Sequence, residues 1–199
     1  RTSVDISKQD ITNGKELPDA KLEIRDADGN LVAGWTSTKT PHTVRGLELE
    51  KAYTLTETRA PDGYAEAESI VFKLVQEGTE QVNEVYVKSN DAWVKLDDTT
   101  VVMQDAPVLD IDKTDIAGNL LPGATLTIRD ANDEVVDTWT TDYKTHRVPI
   151  SDEFIKLSGE IKEYIYTLTE DAAPAGFEIA ESVQFKLETV DDGISLFVR

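Results

Sequence analysis

Residues 53–74 read YTLTETRAPDGYAEAESIVFKL, and residues 166–187 read YTLTEDAAPAGFEIAESVQFKL. In each copy an alternating run (Tyr53, Leu55; Tyr166, Leu168) passes through a turn into a second one (Ile70, Phe72, Leu74; Val183, Phe185, Leu187). Period-two alternation marks a strand with one buried face, and Pro61-Asp62-Gly63 and Pro174-Ala175-Gly176 are turn signals between such strands. Outward from this pair, LPDAKLEIRDADGNLVAGWTS at 17–37 matches LPGATLTIRDANDEVVDTWTT at 121–141. The first match has an offset of 113 and the second of 104, so nine residues are inserted in the second copy within 149–162, where Ser151 is placed to cap a short helix. Almost every other segment reads as a short strand. The expected fold is all-β, with one immunoglobulin-like β-sandwich per repeat.

The boundary falls at Asp105-Ala106-Pro107-Val108, giving domains 1–107 and 108–199 with no glycine or serine linker between them. Each domain is near 100 residues, enough to bury a core without disulfides or metals. The chain has no cysteine, which excludes a disulfide scaffold, thiolate metal sites and cysteine catalysis. Net charge is −19, with −8 in 1–107 (12 basic, 20 acidic) and −11 in 108–199 (8 basic, 19 acidic). Such a surface repels nucleic acid and anionic membranes, so neither is an expected partner. No stretch approaches a transmembrane helix. Arg1 opens directly into a strand-like segment rather than a signal peptide, so a secreted protein would be represented here by an interior piece.

Three charges break the apolar faces. Val4, Ile6 and Lys8 share parity, as do Tyr53, Leu55 and Glu57, and Val101, Met103 and Asp105. A face that buries the hydrophobes also buries these charges, and a buried charge is costly unless paired, neutralised or used. In a dry core desolvation favours a neutral amine and a protonated carboxyl, a nucleophile and an electrophile that can lose water. A second carboxyl between them can relay the proton. The product is an amide between Lys8 and Asp105, assisted by Glu57. The second copy repeats Leu109, Ile111, Lys113 and Tyr166, Leu168, Glu170, but nothing after Gly193 carries a carboxyl or amide side chain. Lys113 therefore has no partner in the chain, and the second domain is expected to lack its last strand.

VDISKQD, LPDAKLEIRDADG, YTLTETRAPDGY and VVMQDAP resemble the B-type repeat of collagen-adhesin family proteins on Gram-positive cell surfaces. The resemblance covers essentially the whole chain, twice. It implies tandem immunoglobulin-like (prealbumin-like) sandwiches that build stalks of adhesins and pilins, in the extracellular cell wall of a Gram-positive bacterium. It also implies an intramolecular isopeptide bond, with Lys8 as nucleophile, Asp105 as acceptor and Glu57 as catalytic carboxyl. Lys113 and Glu170 match in the second repeat, where Asp171 stands in place of Thr58. The expected partners are neighbouring repeats of the same surface protein, with the chain otherwise a monomer and without cofactor or metal.

Other candidates carry less. His42 and His146 occupy equivalent positions, but one histidine per domain makes a poor metal site. Trp35 and Trp139 are also equivalent and read as packing residues. Asp26-Ala27-Asp28-Gly29-Asn30 begins like a calcium loop but lacks the EF-hand glycine and glutamate positions, so it reads as a hairpin turn. Leu121-Pro122-Gly123-Ala124-Thr125 has the wrong order for a sorting signal. Two functions are weighed: a structural stalk repeat and, as the alternative, an adhesin module that contacts a host protein or glycan. Near-copies in series without an aromatic-rich insertion favour the stalk. A turnover enzyme is disfavoured, because the proposed chemistry consumes its own side chains once.

Overall fold

A computed structural model describes residues 2–76, 78, 82–150, 163–190 and 193–199, and every regular element among them is a β-strand. Ser151 and most of the insertion around it lie outside the described residues. The chain divides into two compact units, Arg1–Ala106 and Pro107–Arg199. Hydrogen bonds explain the dividing point. The Ala106 carbonyl accepts the Ala65 N–H at 3.0 Å, whereas the Pro107 carbonyl accepts that of Ile150 at 2.6 Å.

The first unit holds β1 (Ser3–Asp10), β2 (Lys21–Asp26), β3 (Leu31–Thr36), β4 (His42–Arg45), β5 (Ala52–Arg59), β6 (Ile70–Val75), β7 (Glu84–Ser89), β8 (Ala92–Lys95) and β9 (Thr100–Asp105). One sheet has the order β4-β1-β9 and the other β3-β2-β5-β6-β7-β8. All neighbours are antiparallel except β1 and β9, which run parallel in the register Lys8 opposite Met103 and Asp10 opposite Asp105. The alternating residues meet between the sheets. Val4, Ile6, Val101 and Met103 of the small sheet pack in one cluster with Leu22, Ile24, Tyr53, Leu55, Phe72, Leu74 and Val85 of the large one. Each such side chain contributes about 1.5–3 kcal/mol by leaving water. A lone ion buried among them costs several kcal/mol, so charges placed there must be compensated.

The second unit holds β10 (Val108–Ile111), β11 (Thr125–Arg129), β12 (Val135–Thr140), β13 (His146–Pro149), β14 (Glu163–Ala172), β15 (Val183–Val190) and β16 (Gly193–Val198). Its sheets are β10-β13 and β12-β11-β14-β15-β16. The core repeats that of the first unit, with Leu109, Ile128, Val148, Tyr166, Phe185 and Leu187. Tyr53 packs tilted against Phe72 with ring centroids 5.9 Å apart, and Tyr166 stacks on Phe185 at 5.5 Å. Among the described residues β10 pairs only with β13, whereas its counterpart β1 pairs on both sides. It also stops at Ile111, so Lys113 lies beyond the strand rather than within it.

Candidate functional site

Lys8, Glu57 and Asp105 arrive from three strands and meet inside the first unit. They are 1%, 4% and 0% exposed, as buried as the leucines around them. Lys8 Nζ donates to Asp105 Oδ1 and lies 3.1 Å from Glu57 Oε1. The contact between β1 and β9 runs diagonally, since Lys8 sits opposite Met103 and reaches two residues along the neighbouring strand.

Local structure aims each group. Around Lys8 the backbone is fixed on both sides: its N–H donates to Glu16 Oε2 at 3.2 Å, and its carbonyl accepts the Leu17 N–H at 2.6 Å. Glu16 also accepts from the Ser7 hydroxyl. On β5 the pairing with β2 slips directly after the glutamate, because Leu22 opposes Glu57 while Lys21 opposes Arg59. Such a bulge bends the strand and re-aims its side chains. The same slip recurs on β14, where Leu126 opposes Glu170 and Thr125 opposes Ala172. Thr58 and Asp171 are thus the residues skipped, which explains how a threonine and an aspartate can interchange there. Asp171 is exposed and accepts the Thr127 hydroxyl at 2.6 Å, a bond that holds its carboxyl below the usual range.

Burial favours the protonated form of Asp105. Burial pushes the Asp105 carboxyl up to about 7; the Lys8 amine opposes this, and the Glu57 carboxylate adds to it. Among the described residues, the buried side-chain oxygens without a hydrogen-bond partner are Glu57 Oε1, Asp105 Oδ2 and Glu170 Oε1. All three belong to these two sites. A proton on Asp105 directed at Glu57 would satisfy the first two. The other Glu57 oxygen, Oε2, accepts the Ala67 N–H at 2.8 Å.

In the second unit Lys113 Nζ donates to Glu170 Oε2 at 3.1 Å, and Ala180 N–H donates to the same oxygen at 2.6 Å. The glutamate is held as in the first unit. Lys113 is less enclosed, with a side chain 16% exposed, because it stands past the end of β10.

Two residues at the first site were not singled out in the sequence. Asp10 continues the parity of Val4, Ile6 and Lys8, and it is 3% exposed. Tyr64 donates its hydroxyl to Asp10 Oδ2 at 2.8 Å. Parity alone could have flagged Asp10, while nothing in the sequence pairs it with Tyr64. The histidines and tryptophans prove to be partners of each other. Trp35 stacks on His42 at 4.5 Å and Trp139 on His146 at 3.9 Å, and His146 Nε2 lies 2.8 Å from Asp137 Oδ2. The stacks join the edge strand of one sheet to that of the other. Asp26 spends its oxygens on Asp28 and Asn30 of its own turn, so the loop is a hairpin connection.

A family model described as the SpaA prealbumin-like fold domain matches residues 2–89 and again residues 108–197. No curated protein matches the chain. Among solved structures, the chain is similar to the Bacillus anthracis TIE protein, with 24% identity, 94% of this chain and 31% of that one covered, and a TM-score of 0.37. It is similar to the shaft pilin SpaA from Lactobacillus rhamnosus GG at 12% identity, with 93% of each chain covered and a TM-score of 0.36. The pilus adhesin SpaC from the same bacterium shares 14% identity over 99% of this chain and 27% of its own, with a TM-score of 0.34. The chain therefore spans about a third of the length of the TIE protein. Because the two matches take in most of its residues, the chain belongs to the SpaA prealbumin-like fold domain family and contains two copies of that domain in series.

Proposed function

We propose that the chain is a structural stalk segment of an extracellular surface protein of the pilin and adhesin kind, carried on the cell wall of a Gram-positive bacterium. Its first unit closes itself with an amide between Lys8 and Asp105. The observation that carries this reading is the burial, from three separate strands, of one amine and two carboxyls in mutual contact. An ordinary ion pair gives little stability at such a desolvation cost, whereas a covalent bond removes both charges permanently. Family membership supports the stalk role, and its natural partners are neighbouring repeats of the same protein.

The chemistry balances within the triad. Lys8 Nζ gives up a proton to Glu57, leaving a neutral amine beside a protonated Asp105 carboxyl. The amine attacks Asp105 Cγ, Glu57 gives the proton it received to the departing hydroxyl, which leaves as water, and Glu57 then takes up the second proton shed by the amide nitrogen. Net, the Lys8 ammonium, the protonated Asp105 carboxyl and the Glu57 carboxylate become an amide, one water and a protonated Glu57. Folding supplies the proximity. Each chain reacts once, so no turnover enzyme is implied. Lys113 and Glu170 occupy the matching nucleophile and catalytic positions of the second unit.

Intact mass tests this directly. Residues 1–199 are expected to weigh one water less than their sequence, and Lys8→Ala, Glu57→Ala or Asp105→Ala each to restore the full mass. Wild-type protein at full mass would refute the bond, and a loss of two waters would refute its restriction to the first unit.

A second expectation concerns pH. Lys8→Ala leaves Asp105 buried without the amine that pulls its pKa down, so its carboxyl stays protonated to above about 7 in the folded state. The unfolded chain releases that proton near pH 4. Between these values the folded state binds more protons, so stability falls as pH rises. Thermal melts of Lys8→Ala should show a lower Tm at pH 8 than at pH 5. The crosslinked wild type, whose Asp105 no longer titrates, should show a smaller change.

A further inference from the structure

We propose that Asp10 and Tyr64 are positioning residues that latch the 60–69 segment over the Lys8–Glu57–Asp105 site and keep water out while the amide forms. The inference rests on the crosslinking reading above and extends it to residues outside the triad.

The latch has three points of attachment. Tyr64 donates its hydroxyl to Asp10 Oδ2 at 2.8 Å, Ala65 N–H donates to the Ala106 carbonyl at 3.0 Å, and Ala67 N–H donates to Glu57 Oε2 at 2.8 Å. One short segment thus grips β1, the end of β9 and the catalytic carboxyl of β5. Asp10 stands directly across from Asp105 in the β1–β9 register. Its other oxygen, Oδ1, accepts the Thr12 N–H at 2.8 Å and the Thr12 hydroxyl at 2.5 Å. Three donors make a buried carboxylate a firm anchor. Tyr64 feels both acids: burial, Asp10 and then Asp105 all push its phenol up, so it remains a hydrogen-bond donor at neutral pH.

The second repeat lacks this device. Phe177 stands where Tyr64 does, has no hydroxyl and is 50% exposed. Ala117 replaces Thr12, and Asp115 replaces Asp10 but bonds its own loop through Ala117 N–H, Asn119 N–H and Asn119 Nδ2. The glutamate anchor, Ala180 N–H to Glu170, is kept. So the backbone N–H hydrogen bond to the glutamate is common to both repeats, while the tyrosine, threonine and buried aspartate occur together only beside a complete triad.

The consequence is chemical. Asp105 is faced by Lys8 and Asp10 from β1, by Glu57 from β5 and by Tyr64 from the latch. Its carboxyl stays protonated near neutral pH chiefly because water is excluded. With the latch open, water reaches the site, Asp105 ionises at lower pH and the unreactive carboxylate dominates.

The test uses the full chain, made by cell-free translation and chased in buffers from pH 5 to pH 8, with intact mass followed over time. Tyr64→Phe keeps the ring and removes the hydroxyl. It should slow water loss by at least about tenfold at neutral pH and move the alkaline limb of the rate profile to lower pH. Hydrogen exchange at Ala65 and Ala67 should accelerate, also in the Lys8→Ala background, where no bond forms. If Tyr64→Phe fails to fold, Thr12→Val, which removes a different donor to the same carboxylate, should shift the rate profile in the same direction. Unchanged rate and pH limb in a variant that folds would overturn the latch while leaving the crosslink intact. Slower water loss with an unmoved limb and unchanged exchange would also overturn it. Wild type that keeps its full mass overturns the crosslink, and the latch role falls with it.

Discussion

Glu57→Gln should melt roughly 20 °C or more below wild type and be cut by trypsin under conditions in which wild type survives. The proposed bond would join residues 97 apart in sequence. By analogy with disulfides, closing a loop of that length stabilises by about 4–5 kcal/mol through the lost entropy of the unfolded chain. For a domain of this size each kcal/mol moves Tm by about 4–8 °C. Glutamine fills the same space as glutamate but cannot shuttle the proton, so Lys8 and Asp105 remain as an unreacted pair and the core stays packed. Lys8→Ala also lacks the bond, but it removes a buried side chain and leaves two carboxyls facing one another. Its melting point should therefore fall at least as far. Reductant should change none of these values, in contrast to a disulfide. Equal melting points for Glu57→Gln and wild type, with water lost only from wild type, would mean the amide forms without stabilising the unit.

Much of this site was legible because strands impose a period of two. Once Ile6, Leu55 and Met103 are placed in a core, Lys8, Glu57 and Asp105 follow them inward by geometry alone, and each is indeed buried. The repeat was legible for the same reason, whereas the cross-strand pairs it forms, Tyr53 opposite Phe72 and Tyr166 opposite Phe185, came from the structure. Alternation cannot reveal register between strands distant in sequence. That β1 and β9 run parallel, and that Lys8 reaches Asp105 diagonally, depends on how two ends of the unit come together. Asp10 was hidden differently: its parity marks it as buried, but its hydrogen-bond partner is a tyrosine on an irregular segment 54 residues away. β8 carried no signal at all, since all four of its residues are exposed and no face alternates. The early end of β10 also escaped, because Asp112 and Lys113 sit where continued alternation predicts strand.

Pulled through its two ends, the first unit should give no full-length unfolding step. β1 and β9 are parallel neighbours at opposite ends of the unit, so tension loads their shared ladder in shear. In an uncrosslinked chain, rupture of that ladder frees everything between them. At about 3.3–3.6 Å per extended residue, the 97-residue loop would add roughly 330 Å of contour. With the amide in place, force enters along β1, crosses from Lys8 to Asp105 and leaves beyond β9. The loop that contains β2 to β8 is bypassed, and only residues ahead of Lys8 can peel. Single-molecule traces of wild type should therefore lack the long step, and those of Glu57→Gln should regain it. A long step in wild-type protein whose mass shows the lost water would place the bond between other residues.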